Sequence, residues 1–199
     1  NFRNILAGYY AYRMGLPVGT LICASNDHNL LSDFLATGVY SLDRPFIKTT
    51  SPSMDILVSS NLERLLFEFA GRDGAVVRGW MNELKDAGSY DIGAERLAEI
   101  RKKFRGGYAL QSDYAETLAE LYDEYGYLAD PHTAVAFDVC ASYRDGCVSD
   151  VPTVVVGTAS PVKFAPAVLA ALGEEVPDDD VKALRKMEEL TAFPVPDSV

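Results

Sequence analysis

The first residues of the chain combine polar side chains with the start of a helix, an arrangement that can bind a phosphate group. Asn1-Phe2-Arg3-Asn4 is a turn-like group that leads directly into the apolar run Ile5-Leu6-Ala7-Gly8. A loop that opens a helix presents backbone N–H groups and the positive end of the helix dipole, and both attract phosphate. Asparagine at a helix start is also a common cap. These residues alone indicate either an ordinary helix start or a phosphate site.

A second candidate group follows a run of β-branched residues near the end of the chain. Thr153-Val154-Val155-Val156 predicts a fully buried parallel strand, and Gly157-Thr158-Ala159-Ser160-Pro161 comes directly after it. Ligands of α/β sheets bind beyond the carboxyl ends of strands, where the Thr158 hydroxyl could make one well-aimed hydrogen bond. The same segment is typical of a plain strand-to-helix loop, with Ser160 as the cap and Pro161 at the first helical position, and the residues alone favour this interpretation.

The two histidines stand in local contexts that favour structural roles. His132 lies at a loop-to-helix junction, with Asp130 or Thr133 near the cap. His28 is expected to be a surface or cap residue. The polar run Ser51-Pro52-Ser53-Met54-Asp55 lies between apolar segments and is typical of a turn.

Composition narrows the classes of function. The chain has 199 residues, of which 48% are hydrophobic and 24% charged, and such a chain can bury a sizeable core. Its formal net charge of −11 argues against nucleic-acid binding, which relies on clustered Lys and Arg. We also expect no membrane helix, since no apolar run approaches the roughly 18 residues required, and no signal peptide. Three cysteines without metal-ligand spacing predict no metal site and fit a reducing cytosol: Cys23, Cys140 and Cys147.

Hydrophobic periodicity predicts most of the helices. Apolar residues recur at helical spacing over residues 4–15, 30–35, 61–70, 164–172 and 181–190. Leu97, Ile100 and Phe104 repeat this pattern inside a charged segment. Asp113 with Glu116 predicts a capping box at the start of a further helix that continues to residue 125.

The order of the predicted elements indicates an α/β fold. Leu21-Ile22-Cys23-Ala24 predicts a short buried strand, and Ser25-Asn26-Asp27 is expected to cap the helix that follows. Alternation of strand and helix is typical of α/β proteins. Residues 71–107 are more polar and more charged, which predicts an exposed helical insertion. The tail from residue 176 is acidic, then helical, and then interrupted by proline.

Five blocks of the sequence resemble segments of the threonine synthase family, in the same order. The first, residues 1–11, resembles the family stretch Gly-Asn-Phe-Gly-Asn-Ile-Leu-Ala-Gly. The other four are Ile22-Cys23-Ala24-Ser25-Asn26, Ser51-Pro52-Ser53-Met54-Asp55-Ile56, Asp130-Pro131-His132-Thr133-Ala134-Val135 and Thr158-Ala159-Ser160-Pro161-Val162-Lys163-Phe164. Together they extend over most of the chain. Five matches in one order are much more specific than any single block.

The resemblance implies a cofactor and a reaction. It implies that four residues wrap the phosphate of pyridoxal 5'-phosphate: Asn1, Phe2, Arg3 and Asn4. It also implies that the Thr158 hydroxyl bonds the pyridine nitrogen. Because a neutral hydroxyl does not force that nitrogen to be protonated, the ring would be a mild electron sink. The family converts O-phosphohomoserine and water to threonine and phosphate, and the implied small-molecule partner is therefore O-phosphohomoserine.

Two departures from the family pattern bear on these expectations. Arg3 stands where the family has glycine, which lets the backbone approach phosphate closely. Arginine could instead pair with the phosphate, or obstruct the loop. Ser160 replaces the histidine of many members. None of the seven lysines has the family's Phe-Lys-Asp context, and Lys163 is a poor candidate for the lysine that binds the cofactor. We expect that lysine to lie upstream, and the chain to be a C-terminal portion with no catalytic residue of its own.

The predicted architecture is part of the large α/β cofactor domain of a fold-type-two pyridoxal-phosphate enzyme. Residues 1–60 and 125–175 would form the partial cofactor-binding domain, residues 61–124 the helical insertion, and residues 176–199 a C-terminal helix and tail. Alone, the chain is expected to be inactive and to self-associate.

Two other interpretations stay open. One is a different fold-type-two enzyme such as a dehydratase, against which the blocks at residues 51–54 and 130–133 argue. The other is a stand-alone, non-catalytic binding or interaction domain of the same fold. Arg3 and the missing lysine are the best support for this second alternative.

Overall fold

Helices and strands alternate in the first part of the chain, and helices dominate the rest. The computed structural model describes residues 2–146 and 151–196. The elements in chain order are α1 (Arg3–Arg13), β1 (Leu21–Ser25), α2 (Leu30–Thr37), β2 (Val39–Ser41), α3 (Leu62–Phe69), α4 (Gly74–Ala87), β3 (Ser89–Asp91), α5 (Ala94–Arg101), β4 (Phe104–Tyr108), α6 (Gln111–Tyr125), α7 (Pro131–Asp145), α8 (Ala165–Ala171) and α9 (Asp180–Thr191). Short 3-10 turns occur at Pro52–Met54 and Pro161–Phe164.

The chain divides into two compact units, each with buried apolar side chains of its own. The first comprises Asn1–Lys48 and Ser53–Tyr108, and the second comprises Thr49–Pro52 and Ala109–Val199. The predicted division into a cofactor-binding part, an insertion and a tail is defined by the function of each part. A division by compactness does not test it, so it stays a prediction.

Strands β1 and β4 form a parallel pair in the first unit. Leu21 lies opposite Phe104 at one end of the pair, and Ser25 lies opposite Tyr108 at the other. The predicted strand at residues 21–24 is confirmed and extends one residue further, to Ser25. Because the two strands are parallel, their carboxyl ends meet at one edge of the sheet, where α/β proteins bind ligands. The polar residues that follow β1 begin at this edge.

A glycine lets α2 approach β4 closely. A Cβ atom at Gly106 would lie 2.6 Å from the Cα of Ser32 and 2.9 Å from its Oγ, distances that a folded protein does not tolerate. Glycine weakens a strand by itself, and its presence in β4 is explained by the close approach of another backbone. The helix packs directly onto the sheet at this point.

Aromatic rings fill much of the core of the first unit. Strands β2 and β3 pair antiparallel with Tyr40 opposite Tyr90, and the two rings stack with centroids 5.2 Å apart. Trp80 lies 6.3 Å from the Tyr90 ring, and Phe34 meets the Tyr40 ring edge-on at 6.0 Å. Burial raises the pKa of both tyrosines, so both hydroxyls stay protonated. The Tyr40 hydroxyl accepts a hydrogen bond from the backbone N–H of Ser59 at 2.8 Å.

The second unit is built from helix pairs. Helices α6 and α7 pack against each other, as do α8 and α9. Each of these four helices contributes fully buried apolar side chains, among them Leu118, Val135, Val168, Leu169 and Met187. The expected capping box is shifted by three residues. Asp113 lies inside the first turn of α6 and its carboxylate accepts from the backbone N–H of Leu110, which is the N-cap residue.

The segment Thr153-Val154-Val155-Val156 is not a buried strand, and this prediction is wrong. No described residue pairs with it, and the side chains of Val154 and Val156 are 82% and 64% exposed. Preference of β-branched residues for strands amounts to at most about 1 kcal/mol and acts through packing against a neighbouring strand. Without such a neighbour in the described part of the chain, the preference alone does not produce a strand.

Residues 71–107 are helical only in part, and they contribute to the core. They contain α4 and α5 as expected, but also β3 and β4. Trp80, Ile100 and Phe104 are buried, and β4 is the partner of β1. The expectation of a helical region is therefore confirmed for α4 and α5 and wrong for β3 and β4. Phe104, expected at helical spacing with Leu97 and Ile100, lies in β4 instead.

The remaining predicted helices are confirmed within a few residues at each end. In the described ranges, no helix has both the length and the apolar character needed to cross a bilayer.

Candidate functional site

Phe2 anchors the start of α1. Its backbone adopts a φ of 56° and a ψ of 4°, a left-handed conformation that a non-glycine residue rarely occupies. The buried Phe2 ring lies 5.8 Å from the ring of Phe104 on β4. Two turns further along α1, the Tyr9 ring lies 5.4 Å from the same Phe104 ring. Packing against the sheet therefore fixes the point at which the polar loop enters the helix.

Arg3 and Asn4 are exposed residues of the first turn of α1. Their amide N–H groups occupy helical positions that have no acceptor within the helix. The N-terminal end of α1 carries a partial positive charge, to which the Arg3 guanidinium adds a full one. Backbone donors, positive charge and access from solvent together fit a phosphate group. Asn1, the remaining predicted phosphate ligand, lies outside the described residues.

Asn26 organises the polar loop after β1. Its side-chain Nδ2 donates to the Asp55 carboxylate at 2.8 Å, and its Oδ1 accepts from the backbone N–H of His28 at 3.0 Å. Ser25 and Asn26 are buried, and the N-cap residue of α2 is Asn29. The prediction that residues 25–27 cap this helix is wrong, because the N-cap is Asn29 and Asn26 bonds to His28 and Asp55.

His28 is a buried residue. Its ring lies 5.1 Å from the ring of Phe46, and its Nε2 lies 2.5 Å from the carbonyl oxygen of Ile47. Only 5% of the residue is exposed, so the expected surface position is wrong. The two residues that cover it are 18 and 19 positions further along the chain, beyond the reach of a local sequence pattern.

A buried carboxylate caps α7 and holds two further side chains. Asp130 is the N-cap, and its Oδ1 accepts from the backbone N–H of His132 at 2.9 Å. The same Oδ1 lies 2.8 Å from Nδ1 of the His132 ring, and the Thr133 hydroxyl donates to Oδ2. All three residues are at least 97% buried, with exposed fractions of 1%, 3% and 3%. We refer to Asp130, His132 and Thr133 as the α7 cap network.

Hydrogen bonding keeps the capping carboxylate ionised. Burial of Asp130 raises the pKa of its carboxyl group, but hydrogen bonds from His132 and Thr133 outweigh burial and the net pKa is lowered. An ionised carboxylate only accepts hydrogen bonds, so Nδ1 of His132 carries a proton. Asp130 therefore fixes both the orientation and the protonated nitrogen of the imidazole ring.

The segment that carries Thr158 rests on this network. A Cβ atom at Gly157 would lie 3.4 Å from Oγ1 of Thr133, which places the Gly157 backbone next to that hydroxyl. The Phe164 ring lies 4.8 Å from the His132 ring. Thr158 itself is exposed. It belongs to the second unit, whereas Phe2, Arg3 and Asn4 belong to the first.

Comparison with known proteins identifies similar sequences for this chain. A family model described as threonine synthase, C-terminal, matches residues 133–195, which include part of the α7 cap network and the Thr158 segment. Threonine synthase of Pseudomonas aeruginosa is 42% identical over 168 residues, which cover 84% of this chain. The human protein named threonine synthase-like 1 is 39% identical over 173 residues, or 86% of this chain. The chain belongs to the threonine synthase family.

Solved structures of threonine synthases have the same fold. Pyridoxal-phosphate-bound threonine synthase from Brucella melitensis is 44% identical and superimposes with a TM-score of 0.82 over 93% of this chain. The yeast enzyme is 34% identical, with a TM-score of 0.80 over 93% of this chain. This likeness confirms the predicted α/β fold of fold-type-two pyridoxal-phosphate enzymes.

The chain corresponds to a portion of these threonine synthases. It spans 35% of the Pseudomonas aeruginosa protein, 23% of the human relative and 39% of the Brucella melitensis chain. Sequence reasoning singled out Phe2, Arg3, Asn4 and Thr158, but it did not identify the α7 cap network. The spacing of Asp130 and Thr133 indicated a cap. Nothing in the sequence showed that the His132 ring returns to the same carboxylate.

Proposed function

We propose that this chain forms part of a pyridoxal-phosphate-dependent threonine synthase that converts O-phosphohomoserine and water to threonine and phosphate. The observation that carries the proposal is the start of α1. There, buried Phe2 fixes a first helical turn whose exposed Arg3 and Asn4 fit a phosphate group. This turn opens the first of five blocks that resemble the family in order. The relatives that bear the name threonine synthase, one of them with the cofactor bound, add further support.

In this proposal, Asn1, Phe2, Arg3 and Asn4 hold the cofactor phosphate. Amide groups at the helix start donate to the phosphate oxygens, and Arg3 contributes a positive charge where the family has glycine. The Phe2 side chain acts by packing on Phe104, which keeps the first turn in place. Bound pyridoxal phosphate supplies an electron sink for the carbon atoms of an amino-acid substrate.

Thr158 orients the ring of the cofactor. Its exposed side chain follows Gly157 and precedes the 3-10 turn at Pro161–Phe164, so a ligand can reach its hydroxyl. A hydroxyl can donate to an unprotonated pyridine nitrogen, whereas a carboxylate would favour the protonated form. Thr158 thus keeps the nitrogen neutral and limits the range of reactions that the cofactor supports.

The covalent attachment of the cofactor requires a lysine that this sequence does not supply. None of the seven lysines has the family's Phe-Lys-Asp context. We expect the lysine in residues outside this sequence, and we expect the 199-residue chain alone to make no threonine. We also propose that the enzyme works in the cytosol and that its small-molecule partner is O-phosphohomoserine.

Arg3 is the observation that favours a second candidate, a non-catalytic protein of the same fold. If the side chain obstructs the loop, the cofactor phosphate is excluded and the chemistry is lost. The family also includes proteins named threonine synthase-like, so family membership by itself does not decide between the two.

The test uses the full protein that contains this chain. It is incubated with pyridoxal phosphate and O-phosphohomoserine, and released phosphate and threonine are measured together. Equal amounts of the two products support the proposal. Cofactor binding without either product points to a different fold-type-two reaction, and absence of cofactor binding points to the non-catalytic alternative.

A further inference from the structure

We infer that the α7 cap network positions the segment that carries Thr158, which extends from Gly157 to Phe164. Asp130 is the centre of the network. The inference rests on the proposed function, because it explains how the chain directs the Thr158 hydroxyl toward a ligand. It assigns roles to Asp130, His132 and Thr133 as positioning residues, none of which contacts the ligand itself.

Both ends of the Thr158 segment lie against side chains that the same carboxylate holds. At one end, the backbone of Gly157 lies beside the Thr133 hydroxyl, which donates to Oδ2 of Asp130. At the other end, the Phe164 ring lies 4.8 Å from the His132 ring. Nδ1 of that His132 ring lies 2.8 Å from Oδ1 of Asp130. Loss of either hydrogen bond frees one end of the segment.

The carboxylate is well suited to this task because it is held in place itself. Asp130 caps α7 through the backbone N–H of His132, and Pro131 at the first helical position fixes the chain on the other side. Only 1% of Asp130 is exposed, so water does not compete for its oxygens. A buried network in which every member is paired has a single low-energy arrangement.

Position matters at Thr158 because a hydrogen bond is directional. Its strength falls steeply as the donor angle drops below about 120°. Between Gly157 and the 3-10 turn, Thr158 is exposed and has little packing of its own to set its direction. The contacts at Gly157 and Phe164 therefore determine where the hydroxyl points.

The experiment compares Thr133→Val and His132→Phe in the full protein. Thr133→Val keeps the shape of the side chain, His132→Phe keeps a flat ring that is slightly larger, and both remove the side-chain hydrogen bond to Asp130. Backbone order parameters of residues 157–160 are measured by NMR in the cofactor-free protein, and the absorption maximum of bound pyridoxal phosphate is measured after reconstitution. We expect the order parameters of the segment to fall from about 0.85 to below about 0.6 in both variants. We also expect a spectral shift in the direction that Thr158→Val produces.

Two further variants make the result specific. Thr133→Ser restores the hydroxyl and should restore the high order parameters. Asp138→Asn is the matched control, because Asp138 is another α7 carboxylate that accepts from a threonine hydroxyl, that of Thr117 at 3.4 Å. It should leave residues 157–160 unchanged. If His132→Phe does not fold, the smaller change Thr133→Val decides.

The outcomes separate this inference from the proposed function. Unchanged order parameters over residues 157–160, with lower values only at the start of α7, would overturn it and leave the network as a plain helix cap. If the order parameters fall while Thr158→Val leaves the cofactor spectrum unchanged, the positioning of the segment holds. In that case the proposed role of Thr158 at the cofactor fails.

Discussion

The Thr158 hydroxyl is the single polar group on which the proposed orientation of the cofactor ring depends most. In the full protein, Thr158→Val keeps the shape of the side chain, so the free energy of unfolding should change by less than about 0.5 kcal/mol. Transition-state stabilisation should fall by about 1 kcal/mol or more, which is typical of one lost buried hydrogen bond. Thr153→Val, at an exposed threonine that precedes this segment, is the control. Equal kcat/KM and equal cofactor spectra in both variants would contradict the role.

Variants of Arg3 distinguish two effects that its side chain can have at the start of α1. If its guanidinium pairs with the cofactor phosphate, Arg3→Ala should raise the Kd of pyridoxal phosphate for the full protein roughly tenfold, the effect of one charge-assisted contact. If the side chain obstructs the loop instead, Arg3→Gly should lower the Kd. Arg13→Ala, at the opposite end of the same helix, is the matched control. An unchanged Kd in both Arg3 variants would leave this block as a helix start only.

Ionisation of Asp130 makes the free energy of unfolding depend on pH. Its lowered pKa means that the ionised carboxylate stabilises the folded state above the pKa of the unfolded chain, about 3.9. That stabilisation is lost as the pH falls through the lower, folded-state pKa. Asp130→Asn should therefore be less stable than the natural sequence by about 1–3 kcal/mol at pH 7, and the difference should shrink below about pH 4. Urea unfolding at a series of pH values measures this.

Asp138 is a control for this pH dependence, because its pKa is shifted in the opposite direction. Burial and the charge of Asp113 raise the pKa of the Asp138 carboxyl, so the folded state disfavours its ionised form. At neutral pH, Asp138→Asn should cost little or nothing. A pH-independent difference between Asp130→Asn and the natural sequence would contradict the account of the α7 cap network.

At the scale of elements, the contact between α2 and β4 depends on Gly106. Gly106→Ala forces the helix and the strand apart, since the new methyl group would lie 2.6 Å from the Cα of Ser32. We expect a loss of about 1–3 kcal/mol of unfolding free energy, typical of overpacking. Gly79→Ala, in the exposed interior of α4 with open space around it, should instead gain about 0.5–1 kcal/mol. Thermal unfolding of the two variants tests the contrast, and equal Tm values would contradict it.

Local elements were predictable from the sequence, and pairing between distant elements was not. Helices such as α3 and α9 follow from apolar residues three and four positions apart, which is information within one segment. Strand β4 contains Gly106 and Gly107, so its own composition argues against a strand, and its pairing with β1 and its packing against α2 stabilise it. The exposed valines near residue 154 show the converse. Their composition favours a strand, but no described residue pairs with them.

The same distinction applies to the candidate site. Phe2, Arg3, Asn4 and Thr158 could be singled out because they fall within sequence blocks that resemble the family. The structure adds that the Phe2 side chain is a buried anchor, since its ring packs on Phe104, 102 positions further along the chain. It also adds the return of the His132 ring to Asp130, which depends on a side-chain conformation that no pattern encodes.

For the whole molecule, we predict that the 199-residue chain associates with itself. In the described part of the chain, β1 and β4 pair only with each other, so each has an edge with unpaired backbone groups. Val154, 82% exposed, adds apolar surface. The net charge of −11 opposes association, so mass measured by light scattering should rise with concentration and with added salt. If the segment around Val154 contributes to association, Val154→Lys should lower the mass measured by light scattering. A monomer at high concentration and high salt would contradict the prediction.

The most direct test of the central claim follows the oxygen atoms of the reaction. The full protein, with pyridoxal phosphate, is given O-phosphohomoserine in water enriched in oxygen-18, and the products are analysed by mass spectrometry. A threonine synthase expels phosphate with its bridging oxygen and adds water to the neighbouring carbon. We therefore predict oxygen-18 in the hydroxyl group of threonine and none incorporated into phosphate on release. Labelled phosphate together with homoserine would indicate simple hydrolysis of the phosphate ester and would contradict the account.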